Sequence, residues 1–125
     1  MTNYSISDVL EDIKHGKFVI VVDSEDRENE GELVMAGELI TPDAVNFMAK
    51  EARGLICVSL SSERALALDL SPMERRNTSL HKTAFTVSVD AIKNTTTGTS
   101  AYDRFQTIRT LIASDAVSED LGRPG

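Results

Sequence analysis

The most chemically distinctive segment of this 125-residue sequence is the run DSEDRENEGE, which begins at Asp23 and ends at Glu32. It contains six acidic residues and one basic residue, Arg27, and so carries −5 of the chain's net charge of −7. Crowded carboxylates repel one another, and they are folded together favourably when a cation joins them. Hard oxygen ligands with an arginine that can grip a phosphate suit a Mg²⁺ site. A solvated acidic loop is the alternative interpretation.

Three further groups could do chemistry, although each also has a structural explanation. Cys57 lies in an apolar run, where cysteine is usually a small core residue, and its functional alternative is a polarisable group at the edge of a site. His81 follows Arg75 and Arg76 in a polar segment and is either solvated or a proton carrier or phosphate contact. The hydroxyl-rich turn over residues 95–98 precedes a helix N-terminus, a pairing that suits a phosphate.

Composition excludes several classes of protein. Apolar residues make up 41% and charged residues 26%, which together with the length predicts one globular domain. The net charge of −7 argues against binding to nucleic acid or to an anionic membrane. No apolar run approaches the roughly 20 residues of a membrane span, and a single cysteine excludes an intrachain disulfide. The polar, acidic N-terminus is unlike a targeting peptide, so we expect a cytoplasmic protein.

The elements that must position these groups alternate between helices and strands. Capping residues and apolar spacing predict helices over residues 6–15 and 42–52, over ERALAL, and after Ser100, where Asp103 completes a capping box. Apolar β-branched runs predict strands at residues 18–22, 33–37, 55–60 and 85–89. This alternation predicts an α/β or α+β domain with one mixed sheet.

The segments between these elements complete the predicted organisation. The first strand is expected to be buried, and the acidic run follows it as a loop that turns at Gly31. Residues 71–83 form a long polar loop of the kind that is often functional. The stripe of Phe105, Ile108, Leu111 and Ile112 marks the buried face of the last helix. The tail SEDLGRPG has no predictable structure.

Five segments, in order, resemble the 3,4-dihydroxy-2-butanone 4-phosphate synthase family of riboflavin biosynthesis. They are VDSEDRENEGEL, GLICVSL, NTSLHKTAFTVSVDA, TTTGTSAYDR with TIR after it, and LGRPG. The resemblance implies a mixed-sheet sandwich with flanking helices and a homodimer. It also implies a Mg²⁺-dependent lyase, with Mn²⁺ as an alternative metal and no organic cofactor, that converts ribulose 5-phosphate to formate and dihydroxybutanone phosphate. Loss of formate begins with proton removal beside a carbonyl, which carboxylates and a metal can support.

The resemblance also assigns roles to individual residues. Glu28 matches the metal ligand and a substrate contact, and Glu30 matches an acidic catalytic residue. Arg27 and Glu32 match substrate contacts, although the family usually has Asp where Glu32 stands. Cys57 matches the site cysteine, and Thr97 matches a hydroxyl near the phosphate. Roles for His81, Asp103 and Arg104 are left open.

The family domain continues beyond the Arg-Pro-Gly at which this sequence stops. In the family a His follows directly, a later Gly-His-Thr-Glu segment supplies the second metal ligand, and a further Glu acts in catalysis. The resemblance therefore implies that residues 1–125 are an incomplete synthase domain that is inactive by itself. The alternative hypothesis is a catalytically inactive relative or fragment that serves as a binding or subunit-contact module.

Overall fold

The computed structural model describes residues 4–125, which divide into one unit ending at Ile56 and another beginning at Cys57. Each unit combines helices with its own antiparallel pair of strands, so the predicted α+β class is confirmed. Within this part of the chain the strands form two separate two-stranded sheets in place of one mixed sheet. No helix in these residues is long and apolar enough to span a membrane.

Helix starts in the first unit follow from local side-chain capping. Helix α1 (Ile6–Lys14) begins at Ser5, whose side chain and backbone form the predicted capping box with Asp8. Helix α2 (Pro42–Phe47) begins after Thr41, whose hydroxyl accepts a hydrogen bond from the Ala44 N–H at 3.1 Å. It continues as a π-helical turn (Met48–Ala52), so the predicted end before Gly54 is confirmed.

The acidic run connects two strands of a hairpin, β1 (Val19–Val22) and β2 (Gly31–Val34), in which Val22 pairs with Gly31. The predicted second strand over residues 33–37 is therefore misplaced, because pairing starts at Gly31 and a 3₁₀ turn follows over Gly37–Leu39. The prediction that the first strand is buried is wrong: Ile20 is 70% and Val22 61% exposed. A β-branched run specifies an extended backbone, but the layers that cover it come from elsewhere in a fold.

The second unit is built from α3 (Ser62–Ala67), β3 (Asp90–Ala91), α4 (Ala101–Ile112) and β4 (Leu121–Gly122). The short helix predicted over ERALAL is α3, and its Ser61 cap accepts a hydrogen bond from the Arg64 N–H at 3.1 Å. In α4, Ile108 and Leu111 of the predicted apolar stripe are buried. The core cluster consists of Leu68, Leu70, Leu111 and Leu121.

Two predicted strands of this unit are wrong, and one element was missed. Residues 55–60 form no ladder within the described chain, and residues 85–89 are held to residues 71–73 only by one isolated bridge and two hydrogen bonds. Extended segments become strands only where a partner backbone lies beside them. The tail, which has no apolar periodicity, forms a 3₁₀ turn (Ser118–Asp120) and β4, and buries Leu121 against the core.

Candidate functional site

The backbone of the acidic loop closes through hydrogen bonds that extend the hairpin. Asp23 N–H donates to the Glu30 carbonyl at 3.0 Å, and the Arg27 and Asn29 N–H groups both donate to the Ser24 carbonyl. Asn29 has φ of 51°, a left-handed conformation that asparagine tolerates better than most residues. The expectation that the chain turns at Gly31 is therefore wrong, because Gly31 is already paired in β2.

Asp23 organises this loop through its carboxylate. One oxygen accepts from the Ser24 N–H at 2.7 Å, and the other accepts from the Glu28 N–H at 3.2 Å. The Arg27 guanidinium lies 3.3 Å from the second oxygen and forms an ion pair with it. Asp23 therefore acts as an anchor for the loop, and it holds both Arg27 and the backbone of Glu28 in place.

A pocket of about 170 Å³ lies between the loop and the hairpin. A water molecule occupies roughly 30 Å³, so the pocket has room for a hydrated metal ion, whereas small-molecule pockets are typically about 300–1,000 Å³. Four carboxylates and one guanidinium give its lining a net charge of −3. The lining residues are Val21, Val22, Asp23, Arg27, Glu28, Glu30 and Glu32.

Three of these carboxylates have no counter-charge among residues 4–56. The side chains of Glu28, Glu30 and Glu32 form no hydrogen bond or ion pair with any residue between 4 and 125. Glu28 is half-buried, whereas Glu30 and Glu32 are exposed. The structure thus brings Arg27 together with all three predicted glutamates.

The donor set of this pocket fits Mg²⁺. In the described part of the chain, no three His, Cys, Asp or Glu side chains converge closely enough to enclose an ion. Mg²⁺ commonly binds through one or two carboxylates and completes its shell with waters and substrate oxygens. An open pocket with unpaired carboxylates, of which Glu28 is the least exposed, is compatible with that mode of binding.

The other predicted site residues belong to the second unit. The Cys57 side chain is exposed, so the expectation of a core cysteine is wrong. Thr97 is exposed in the turn before α4. His81 is also exposed, and it lies in the predicted long loop, which Asn77 closes by donating to the Thr83 carbonyl at 2.9 Å.

Asp103 is the functional candidate to which sequence reasoning assigned no role. Its N–H donates to the Ser100 hydroxyl at 3.0 Å, which is one half of the predicted capping box. The other half, from the Ser100 N–H to the Asp103 carboxylate, is not formed, so the prediction of a complete box is wrong. Its carboxylate accepts hydrogen bonds from the preceding turn: from the Thr96 hydroxyl at 2.7 Å, the Thr96 N–H at 3.2 Å and the Gly98 N–H at 3.1 Å. Only 2% of the residue is exposed. The sequence did contain a signal for this role: Asp103 lies five residues after Gly98, close behind a turn that is rich in hydrogen-bond donors.

These hydrogen bonds make the stability of the second unit pH-dependent. The Thr96 hydroxyl, and after it the turn amides, hold the pKa of Asp103 below its usual value, although burial opposes them. A depressed pKa in the folded state contributes stability above the unfolded pKa of about 3.9, and this contribution is lost as pH falls through the lower folded pKa.

We therefore expect urea unfolding to separate the unmodified chain from Asp103→Asn most strongly above about pH 4, where only the unmodified side chain is ionised. Below that pH the separation should shrink, because a protonated Asp resembles Asn in charge. A separation that stays constant from neutral to acidic pH would contradict the assigned role of the carboxylate.

Comparison with known proteins gives a consistent result along the chain. A family model described as 3,4-dihydroxy-2-butanone 4-phosphate synthase matches residues 7–125. The riboflavin biosynthesis protein RibBA of Aquifex aeolicus is 56% identical over 123 residues, which cover 97% of this chain and 30% of that protein. The 3,4-dihydroxy-2-butanone 4-phosphate synthase of Agrobacterium fabrum is 53% identical over 125 residues, which cover 100% of this chain and 59% of that protein.

A solved structure shares the fold closely. The crystal structure of a 3,4-dihydroxy-2-butanone 4-phosphate synthase in complex with two magnesium ions superimposes with a TM-score of 0.95 at 45% identity. The match covers 98% of this chain and 57% of that one. The chain thus spans between 30% and 59% of the length of these relatives.

Proposed function

The chain belongs to the 3,4-dihydroxy-2-butanone 4-phosphate synthase family, and we propose that it carries the acidic part of the active site of a Mg²⁺-dependent lyase. The reaction is conversion of D-ribulose 5-phosphate to L-3,4-dihydroxy-2-butanone 4-phosphate and formate, a step of riboflavin biosynthesis. The observation that carries the proposal is the pocket in which Glu28, Glu30 and Glu32 lie unpaired beside Arg27.

Glu28 is the residue that would hold the metal. Its side chain is less exposed than those of Glu30 and Glu32, and Asp23 fixes its backbone by accepting the Glu28 N–H. When bound, Mg²⁺ supplies positive charge that stabilises the negative charge developing on substrate oxygens as a proton beside the carbonyl is removed. A solved relative in complex with two magnesium ions supports metal binding in this family.

Glu30 is proposed to move protons, since a carboxylate with no protein partner is available to accept one from substrate. Glu32 is proposed to contact a substrate hydroxyl. Arg27 is proposed to contact substrate while its guanidinium keeps the ion pair with Asp23, in which Nη1 lies 3.3 Å from Oδ2. This ion pair limits the conformations of Arg27, so less side-chain freedom is lost when it binds.

The second unit is proposed to contribute Cys57 as a polarisable group at the site and Thr97 as a hydroxyl donor to the phosphate. Both side chains are exposed. We further propose that the protein is a cytoplasmic homodimer, that Mn²⁺ can replace Mg²⁺, and that no organic cofactor is required.

The test is formate release from ribulose 5-phosphate by the protein at its natural length. We expect release with Mg²⁺, its loss on chelation with EDTA, and its return when Mg²⁺ or Mn²⁺ is added in excess. The alternative, a module that binds sugar phosphate without chemistry, predicts substrate binding with no formate under any metal. A folded protein that shows this second result would overturn the lyase assignment.

A further inference from the structure

The turn before α4 is held from its inner side by a single side chain. The Asp103 carboxylate accepts hydrogen bonds from the hydroxyl and the N–H of Thr96 and from the N–H of Gly98. Thr95 is held separately, because its hydroxyl donates to the Ala91 carbonyl. The two residues on either side of Thr97 are therefore both fixed to Asp103.

Asp103 is itself fixed to the rest of the second unit through its main chain. Its N–H donates to Ser100, and its carbonyl accepts the Thr107 hydroxyl at 3.1 Å. The Thr107 oxygen in turn accepts the Ala91 N–H at 2.9 Å, which ties α4 to β3. The carboxylate thus has a defined position before any ligand arrives.

The opposite side of the turn is also constrained. Gly98 has φ of 83°, and a Cβ at this position would collide with the Asp90 carboxylate. A side chain at position 98 would therefore be excluded both by the backbone conformation and by the lack of space. The turn has little freedom to adopt another conformation.

Thr97 is the one threonine of the turn that faces outward without a partner. Thr95 and Thr96 use their hydroxyls internally, whereas the exposed Thr97 side chain has no hydrogen bond to any residue in the range 4–125. Because the N–H groups of Thr96 and Gly98 already donate to the Asp103 carboxylate, they are not available to a bound anion. Among the side chains of the turn, the donor that remains for a ligand is the Thr97 hydroxyl.

We propose that Asp103 is a positioning residue, which orients Thr97 so that its hydroxyl donates to a phosphate oxygen of the sugar-phosphate substrate. The inference rests on the proposed function, and it adds that the turn is a preformed contact made by one hydroxyl and dependent on a buried carboxylate that never touches substrate. A preformed donor loses less conformational entropy on binding, so its loss should appear mainly in KM.

The test is a double-mutant cycle on the protein at its natural length, with kcat and KM for ribulose 5-phosphate as readouts. We expect Thr97→Val and Asp103→Asn each to raise KM by roughly tenfold, the scale of one lost hydrogen bond to a charged group, with smaller changes in kcat. The double variant should be no worse than the poorer single variant, because both changes remove the same contact. The affinity for inorganic phosphate, measured as its inhibition constant against ribulose 5-phosphate, should fall by a similar factor in both single variants.

The matched control is Thr110→Val, which removes a hydroxyl of the same helix that donates to the Gln106 carbonyl at 3.0 Å but leaves the contacts of Asp103 intact. Its KM should stay within about twofold of the unmodified value, below the effect of one lost hydrogen bond. Should Asp103→Asn fail to fold, Thr96→Val replaces it in the cycle, because it removes only one donor to the carboxylate.

Two results overturn the inference: additive losses in the double variant, or an unchanged affinity for inorganic phosphate in Asp103→Asn. Absence of formate release from the unmodified protein would instead overturn the proposed function, and it is measured first. The two failures are therefore distinguishable.

Discussion

Replacement of Glu28 by Gln is expected to abolish formate release, with a loss of at least about 1,000-fold, on the scale of removing a group that stabilises transition-state charge. Gln has nearly the same shape as Glu but lacks the charge that would hold Mg²⁺. Because the Glu28 carboxylate has no protein partner between residues 4 and 125, the free energy of unfolding should change by less than about 0.5 kcal/mol. The measurement pairs an activity assay with urea unfolding.

The matched control is Glu25→Gln, which removes the same charge from the same loop. Glu25 is exposed and does not line the pocket, so this variant should retain near-normal activity. An independent readout is amide exchange over residues 24–31, which Mg²⁺ and substrate together should slow in the unmodified protein and in Glu25→Gln but not in Glu28→Gln. Normal turnover of Glu28→Gln at saturating Mg²⁺ would refute the metal-ligand assignment.

The largest expected loss of stability comes from Arg64→Leu. The Arg64 guanidinium donates to three backbone carbonyls at and beyond the end of α4: to Leu111 at 3.2 Å, to Ala116 at 3.5 Å, and to Ala113. Carbonyls at a helix C-terminus lack intrahelical partners, and a cation there is also favoured by the helix dipole. We expect urea unfolding to show a loss of about 2–3 kcal/mol, since leucine can replace the packing but none of the donors.

Arg75→Leu is the control for the Arg64 prediction, because Arg75 is exposed in the loop over residues 71–83. Its effect should stay within about 0.5 kcal/mol. Arg64→Lys should fall between the two, since one ammonium group cannot reach three carbonyls in the way that a planar guanidinium does. If the free energy of unfolding of Arg64→Leu equals that of Arg75→Leu, the three hydrogen bonds contribute nothing measurable to stability and the prediction is wrong.

Helix starts are the part of this fold that could be predicted without a structure. Ser5, Thr41 and Ser100 each accept a hydrogen bond from the N–H three residues later, as the sequence pattern predicts. A cap is a local interaction, so the residues that decide it lie within one turn of each other. The same locality explains why the acidic run could be proposed as a metal site from its own ten residues, with a solvated loop as the alternative.

Strand pairing and burial could not be predicted in this way. The segments over residues 55–60 and 85–89 have strand composition yet form no regular ladder, whereas the polar tail supplies β4 and pairs Leu121 with Ala91. A strand is defined by a partner that can lie anywhere in the sequence. The exposure of Ile20 and Val22 has the same origin, since burial depends on which elements cover a strand.

Within the acidic loop, the sequence determined the types of side chain present, and the tertiary structure decided which carboxylates are engaged by protein donors. Composition alone treats Asp23 and Glu28 as equivalent acids. The folded loop aims backbone amides and Arg27 at Asp23, which makes it an anchor, and leaves Glu28 unpaired. Asp103 likewise looks like an ordinary capping residue until the chain folds the turn of residues 95–98 over it. The physical reason is that an acid's role depends on which donors reach it, and those donors are brought there by backbone conformation.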